Sequence, residues 1–170
     1  MKNSKKLKIL VADNSGFARK ELKDFLQNRE EIQQIQVVDN GKEAYHFIID
    51  EMPDIVLIDV ILPEIDGFTV IEKTNGNRSI RKKPSFIIIS SLGNQSMIEY
   101  ACKLGVLYYI MKPCNLESMM HRILQVNALH MASEQDIRKK GRISHIYMED
   151  TLENDVTDII REIGIPAHIK

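Results

Sequence analysis

The sequence predicts an α/β fold, a five-stranded parallel sheet in the order 2-1-3-4-5 with helices on both faces. Three observations predict it. Short β-branched apolar runs alternate with longer segments of helical period, a βα repeat five times over. The central runs, Ile55-Val56-Leu57-Ile58 and Phe86-Ile87-Ile88-Ile89, are apolar at every position, as strands buried on both faces require. Turn residues fall between the runs.

The first run, Leu7–Ala12, precedes a helical segment over Phe17–Asn28. The second, Ile35–Val38, reaches an Asn40-Gly41 turn and then a helix over Lys42–Glu51. There Ala44, Phe47, Ile48 and Glu51 recur at helical spacing, and Pro53 closes the segment. Ile55–Ile58 leads to Gly67–Asn75, and Gly76 and Pro84 bound the loop into Phe86–Ile89. Gln95–Leu104 ends on Gly105, which suits the left-handed position after a helix. Leu107–Met111 and a last helical pattern from about Asn115 to Leu129 complete a unit over residues 6–130.

Residues 131–150 are polar and mixed, include Arg138-Lys139-Lys140-Gly141-Arg142, and read as a linker. In residues 151–170, Leu152, Val156, Ile159, Ile160 and Ile163 fall at helical spacing before Gly164 and Pro166. That stripe has nothing after it to pack on, so the segment is expected to be the truncated start of a further helical domain.

The 170 residues are 44% hydrophobic and 28% charged, ordinary for a globular chain with a real core. A net charge of −1 excludes nucleic-acid binding by bulk charge, though not by a local patch. No apolar run is long enough to span a bilayer, and no signal peptide is evident. Cys102 and Cys114 lack metal-motif spacing, so a reducing cytoplasm is the expected location.

Ligands of open parallel sheets sit beyond the carboxyl ends of the strands, at the switch in strand order. Asp13-Asn14 ends the first run, Asp59 the third, Ser90-Ser91 the fourth and Lys112-Pro113 the fifth. Each has a plain structural alternative. Asp13, Asn14 or Ser15 would cap the next helix, the serines would be loop hydroxyls, and Lys112 would be solvated. Asp59 resists such a reading, because it interrupts an apolar stretch where a lone carboxylate is costly to bury. Together the residues describe a chemistry. Two close carboxylates repel unless a cation joins them, and a hard divalent ion, Mg²⁺ first and Ca²⁺ or Mn²⁺ next, would do so. A carboxylate beside it attacks a phosphoryl group, with Lys112 as a point charge on the phosphate and Ser90 as a donor.

Phosphate-loop, dinucleotide and nucleophile-elbow motifs are missing from the sequence. His46, His121, His130, His145 and His168 show no ligand spacing, and Met119 and Met120 read as core or helix-face residues. An aspartate-nucleophile phosphatase would carry a second aspartate where Ile61 stands.

Ile9–Asp13, the stretch from Ile58 through Asp59 and Pro63 to Asp66-Gly67, then Ser90, and Tyr109-Ile110-Met111-Lys112-Pro113 together resemble the receiver domain of two-component response regulators, over roughly residues 6–130. The resemblance implies a flavodoxin-like fold and Asp59 as phosphoacceptor. It implies Asp13 and the backbone carbonyl of Ile61 as metal ligands, Ser90 as switch hydroxyl, Tyr109 as switch aromatic, Lys112 as phosphate contact, and a cis bond at Lys112-Pro113. The family's second acidic residue is Asn14 here, a neutral carbonyl donor, so the pocket has two carboxylates rather than three. The tail from Asp158 to Lys170 resembles the opening of the effector domain in the transcription factors that commit endospore-forming bacteria to sporulation.

The expectation is therefore a phosphorylation switch and not an enzyme with a separate substrate. A phosphohistidine-carrying phosphotransferase or sensor histidine kinase would load Asp59. Homodimerisation would follow, DNA would be bound through the effector domain alone, and no membrane would be involved. The alternative is a degenerate receiver, with Asn14 in its acidic pocket, that works as an interaction module without phosphate.

Overall fold

A computed structural model describes residues 5–136 and 148–149. Strands β1 (Leu7–Ala12), β2 (Ile32–Val38), β3 (Ile55–Ile58), β4 (Ser85–Ser90) and β5 (Tyr108–Met111) form a parallel sheet in the order β2-β1-β3-β4-β5. Helices α1 (Gly16–Leu26), α2 (Gly41–Glu51), α3 (Gly67–Gly76), α4 (Gln95–Lys103) and α5 (Leu116–Asp136) connect them. This is the predicted fold class. A two-residue strand, β6 (Met148–Glu149), adds to the free side of β5 in parallel, opposite Tyr109 and Ile110. The basic run over 138–142 and the segment 151–170 lie outside the described residues.

All five helices start on a side-chain cap. Ser15, Asn40, Asp66, Asn94 and Asn115 accept from the N–H groups of Ala18, Glu43, Thr69, Met97 and Ser118, at 2.8–3.2 Å. Each satisfies an otherwise orphaned donor and contributes about 1 kcal/mol. The capping role at the first helix thus falls to Ser15, which leaves Asp13 for other work.

Strand alternation sorts the core onto two faces. Leu10, Ala12, Val56, Ile58, Phe86, Ile88 and Tyr109 pack with residues of α2, α3 and α4, such as Ala44, Ile48, Val70, Ile71 and Ile98. Ile9, Val11, Ile55, Leu57, Ile87, Ile89, Tyr108 and Ile110 pack on the other face against Leu22 and Leu26 of α1 and Met119, Met120, Ile123 and Val126 of α5. Within the expected α2 stripe, Ala44 and Ile48 are buried and Phe47 is partly so, while Glu51 turns outward to Lys8.

Three boundaries differ from expectation. β2 starts at Ile32 rather than Ile35, because its pairing with β1 continues past a register shift between Leu7 and Lys8. α1 stops at Leu26, where the Gln27 N–H closes on the Lys23 carbonyl. α5 runs past Leu129 to Asp136. Gly105 takes the left-handed conformation expected of it, with φ +83°.

At the strand edge where β1, β3 and β4 begin, Asp54 is the shared anchor. It accepts from the Lys8 N–H at 2.8 Å and from the Lys82 ammonium, and lies 3.6 Å from the Lys5 ammonium. Burial pushes its carboxyl up, but the Lys8 hydrogen bond and the Lys82 and Lys5 charges outweigh that and hold it below the usual carboxylate value.

Candidate functional site

Asp13, Asp59 and Lys112 each follow the last apolar residue of a strand, two residues beyond the α1/α5 face residues Val11, Leu57 and Ile110 and so in the same phase of the alternation. The same parity therefore sends all three side chains to one side of the sheet's carboxyl edge. The backbone continues the ladder there: the Asp59 N–H donates to the Ala12 carbonyl at 2.9 Å, and the Lys112 N–H to the Ser90 carbonyl at 2.9 Å.

The three groups meet. Lys112 Nζ donates to Asp13 Oδ2 at 2.6 Å and to Asp59 Oδ2 at 2.8 Å, bridging the two carboxylates. The Asp13 and Asp59 side chains are 4% and 10% exposed and that of Lys112 is 25% exposed, so the triad works largely out of water. Ionised groups so placed are tolerable only when paired and hydrogen-bonded. The remaining oxygens are served as well. Asp13 Oδ1 accepts from the Ser15 N–H at 2.8 Å, and Asp59 Oδ1 accepts from the Ile61 N–H and from Ser90 Oγ, both at 3.0 Å. No buried polar side-chain atom among the described residues lacks a partner. Burial pushes the Lys112 ammonium down, but Asp13 and Asp59 outweigh it and hold it above the usual lysine value.

Ser90 is fully buried at the end of β4 and also accepts from the Leu92 N–H at 3.2 Å. Tyr109 is likewise fully buried, and its hydroxyl donates to the Leu92 carbonyl. Burial, then the Asp59 charge, push its phenol up to about 12, with a hydrogen bond to Ser90 opposing. The Lys112-Pro113 peptide is cis.

The structure thus brings together Asp13, Asp59, Ser90 and Lys112, with Tyr109 beside them. Asn14 is exposed. Ile61 hydrogen-bonds Asp59 through its N–H, while its side chain is 51% exposed. Among the described residues no three His, Cys, Asp or Glu side chains gather as a metal cluster. Two carboxylates still suit Mg²⁺, which keeps several waters and takes one or two carboxylates plus phosphate oxygens.

Sequence reasoning missed two residues. Arg19 of α1 folds back so that Nη1 donates to the Asp13 carbonyl at 2.8 Å. Gly67 lies so close to the strand end that a Cβ there would stand 2.2 Å from the Asp59 carbonyl oxygen. Nothing local marks Arg19, which reads as one of several basic residues on a helix. The Asp66-Gly67 pair was visible, and its meaning required knowing that the loop after β3 doubles back.

Comparison with known proteins agrees with this fold. The family model for the response regulator receiver domain matches residues 9–124. The receiver domain of the Francisella response regulator 1452 is similar at 27% identity and a TM-score of 0.61, covering 75% of this chain and 98% of that one. A DNA-binding response regulator of the LuxR family from Staphylococcus aureus is similar at 21% identity and a TM-score of 0.64, covering 71% and 98%. The BeF3-activated DrrB receiver domain follows at 20% identity and a TM-score of 0.63, covering 72% and 98%.

Proposed function

Since this chain belongs to the response regulator receiver domain family, we propose that it is a phosphorylation-operated switch whose acceptor is Asp59. The observation that carries the proposal is the buried convergence of Asp13, Asp59, Ser90 and Lys112 at one strand edge.

A carboxylate oxygen of Asp59 attacks the phosphorus of a phosphohistidine on a donor protein. The P–N bond breaks, the released imidazole nitrogen takes a proton, and an aspartyl phosphate remains. Asp13, Asp59 and the Ile61 carbonyl would hold Mg²⁺, which supplies charge neutralisation for the phosphoryl oxygens. Lys112 shifts from the carboxylates to a phosphate oxygen, and the Ser90 hydroxyl turns its donated hydrogen bond from Asp59 to the phosphoryl group. The Tyr109 ring occupies the inward position against β4 that such a movement of Ser90 favours. Repacking along α4, β5 and α5 then biases dimerisation.

A rim for the donor protein surrounds the site. Phe17, Ile61 and Leu92, each within a few residues of Asp13, Asp59 or Ser90, are 78%, 51% and 47% exposed. Large apolar side chains that reach solvent around a polar centre mark a docking surface.

The residues from Asp158 to Lys170 support reading the regulator as one of the class of stage 0 sporulation protein A, with a DNA-binding effector domain following the receiver and the cytoplasm as its compartment. No helix among the described residues is long and apolar enough to cross a membrane.

Two features favour a second reading, an interaction module that works without phosphate: Lys112 already bridges both carboxylates, and Asn14 supplies no third charge. Intact-mass measurement after incubation with a small acyl phosphate and Mg²⁺ decides. The expected result is one added phosphoryl group on the wild type and none on Asp59→Asn. No addition to the wild type, or equal addition to both, overturns the switch.

A further inference from the structure

Asp13 is held from four directions, and one of the four has no part in the switch. Its N–H donates to the Val38 carbonyl at 3.1 Å. Its carboxylate accepts from the Ser15 N–H at 2.8 Å and from Lys112 Nζ at 2.6 Å. Its carbonyl accepts from Arg19 Nη1 at 2.8 Å. The guanidinium thus lies across the turn from β1 into α1, with Nη2 3.6 Å from the point that a Cβ on Gly16 would occupy. The pocket side chains share the parity of the α1/α5 face, so the pocket lies on the same side of the sheet as this arginine.

Local preference does not explain a cation there. Arg19 is the fourth residue of α1, close to the positive end of the helix dipole, which disfavours a guanidinium. No acidic residue stands in the first turn to offset it, and Arg19 makes no ion pair among the described residues. Departures from local rules of this kind are expected where a residue serves a site. Loading of the pocket gives the contact its weight. When Asp13 and Asp59 take a cation and Lys112 moves to a phosphate oxygen, Asp13 gives up its ammonium partner. The Ser15 N–H ties the carboxylate only to its own loop, and the Val38 carbonyl ties only the strand end. The Arg19 bond is the contact that ties the 13–14 peptide to a helix side chain.

We propose that Arg19 is a positioning residue of the cation site: its hydrogen bond to the Asp13 carbonyl sets the direction in which the Asp13 carboxylate leaves the strand, and keeps it set once Lys112 has moved away. The proposal rests on the reading of this pocket as a phosphoacceptor site assisted by Mg²⁺. Arg19 acts through Asp13 and touches neither the cation nor the phosphoryl group. Groups that orient a metal ligand from behind are worth about 10–100-fold in metal affinity when removed.

The test is a Mg²⁺ titration of the full chain, followed by its thermal midpoint, in the wild type, Arg19→Ala and Arg19→Lys. Phosphoryl uptake from a small acyl phosphate is measured alongside by intact mass. Arg19→Ala should raise the Mg²⁺ dissociation constant at least about tenfold. Its midpoint without Mg²⁺ should fall by about 4 °C at most, the worth of one hydrogen bond. Its uptake should be slow at limiting Mg²⁺ and regain much of the loss as Mg²⁺ is raised. Arg19→Lys keeps one group able to donate to the Asp13 carbonyl, so its Mg²⁺ affinity should fall between the other two. Equal Mg²⁺ affinity in wild type and Arg19→Ala overturns the proposal, and so does a wild type that binds no Mg²⁺. A lowered midpoint with unchanged Mg²⁺ affinity makes the contact structural only and overturns it. Unchanged Mg²⁺ affinity with a raised acyl phosphate requirement assigns Arg19 to the phosphoryl group and overturns it too. Uptake by the wild type is read on its own, and its failure overturns the switch whatever the titration shows, so the two failures are distinguishable.

Discussion

Lys112 sits between two carboxylates that would repel each other without it, and its removal should be felt first as lost stability. Breaking a buried ion pair from one side leaves uncompensated charge, but a quarter of the lysine side chain is exposed, so Lys112→Ala should cost about 2–3 kcal/mol at neutral pH. Urea unfolding of wild type and variant at neutral pH measures it. Tyr109 makes a prediction at alkaline pH. Burial and the Asp59 charge push its phenol up to about 12, so the folded state favours the neutral ring. Stability from this residue is complete below the ordinary tyrosine value of 10 and is lost as the pH rises above it. In an ultraviolet titration a tyrosine step is expected at about 12, and Tyr109→Phe should remove it.

The loop between β3 and α3 is the element that holds Asp59 in place. It doubles back so that the Gly67 N–H donates to the Val60 carbonyl at 2.9 Å, and the glycine passes against the Asp59 carbonyl with no room for a side chain. Gly67→Ala forces one of two backbones to move. The expected cost is about 1–3 kcal/mol, the range for overpacking a tight contact. Phosphoryl uptake should fall by more than stability explains, because Asp59, the proposed acceptor, is displaced. Comparing uptake rates at a temperature where both proteins are fully folded separates the two effects. Helix starts, by contrast, are local and were open to reading: Asn40, Asp66, Asn94 and Asn115 each stand before a helical pattern and each caps it.

At the scale of the molecule, legibility followed burial. Ile55–Ile58 and Ile87–Ile89 are apolar because both faces of the central strands are covered, and that made the sheet and its order readable. β2 lies at the rim, where Gln33, Gln34 and Gln36 face water, and Ile32 is the sole apolar residue among its first three. The convergence of Asp13, Asp59 and Lys112 followed from parity at strand ends. Arg19 and the close approach of Gly67 depend on how loops fold back, which periodicity does not encode. The molecule as a whole should also report the proposed cation. With Mg²⁺ bound to the folded state alone, stability rises by about 2.7 kcal/mol at a hundred times the dissociation constant. The thermal midpoint should therefore climb with added Mg²⁺ in the wild type and stay flat in Asp13→Asn/Asp59→Asn. A flat response in the wild type favours the phosphate-independent module.

β6 lies along β5 opposite Tyr109 and Ile110. The outermost strand of an open sheet otherwise shows a row of unsatisfied amides and carbonyls, a template on which strands of other molecules can grow. By lending its own backbone to that margin, the chain closes part of the template to strangers.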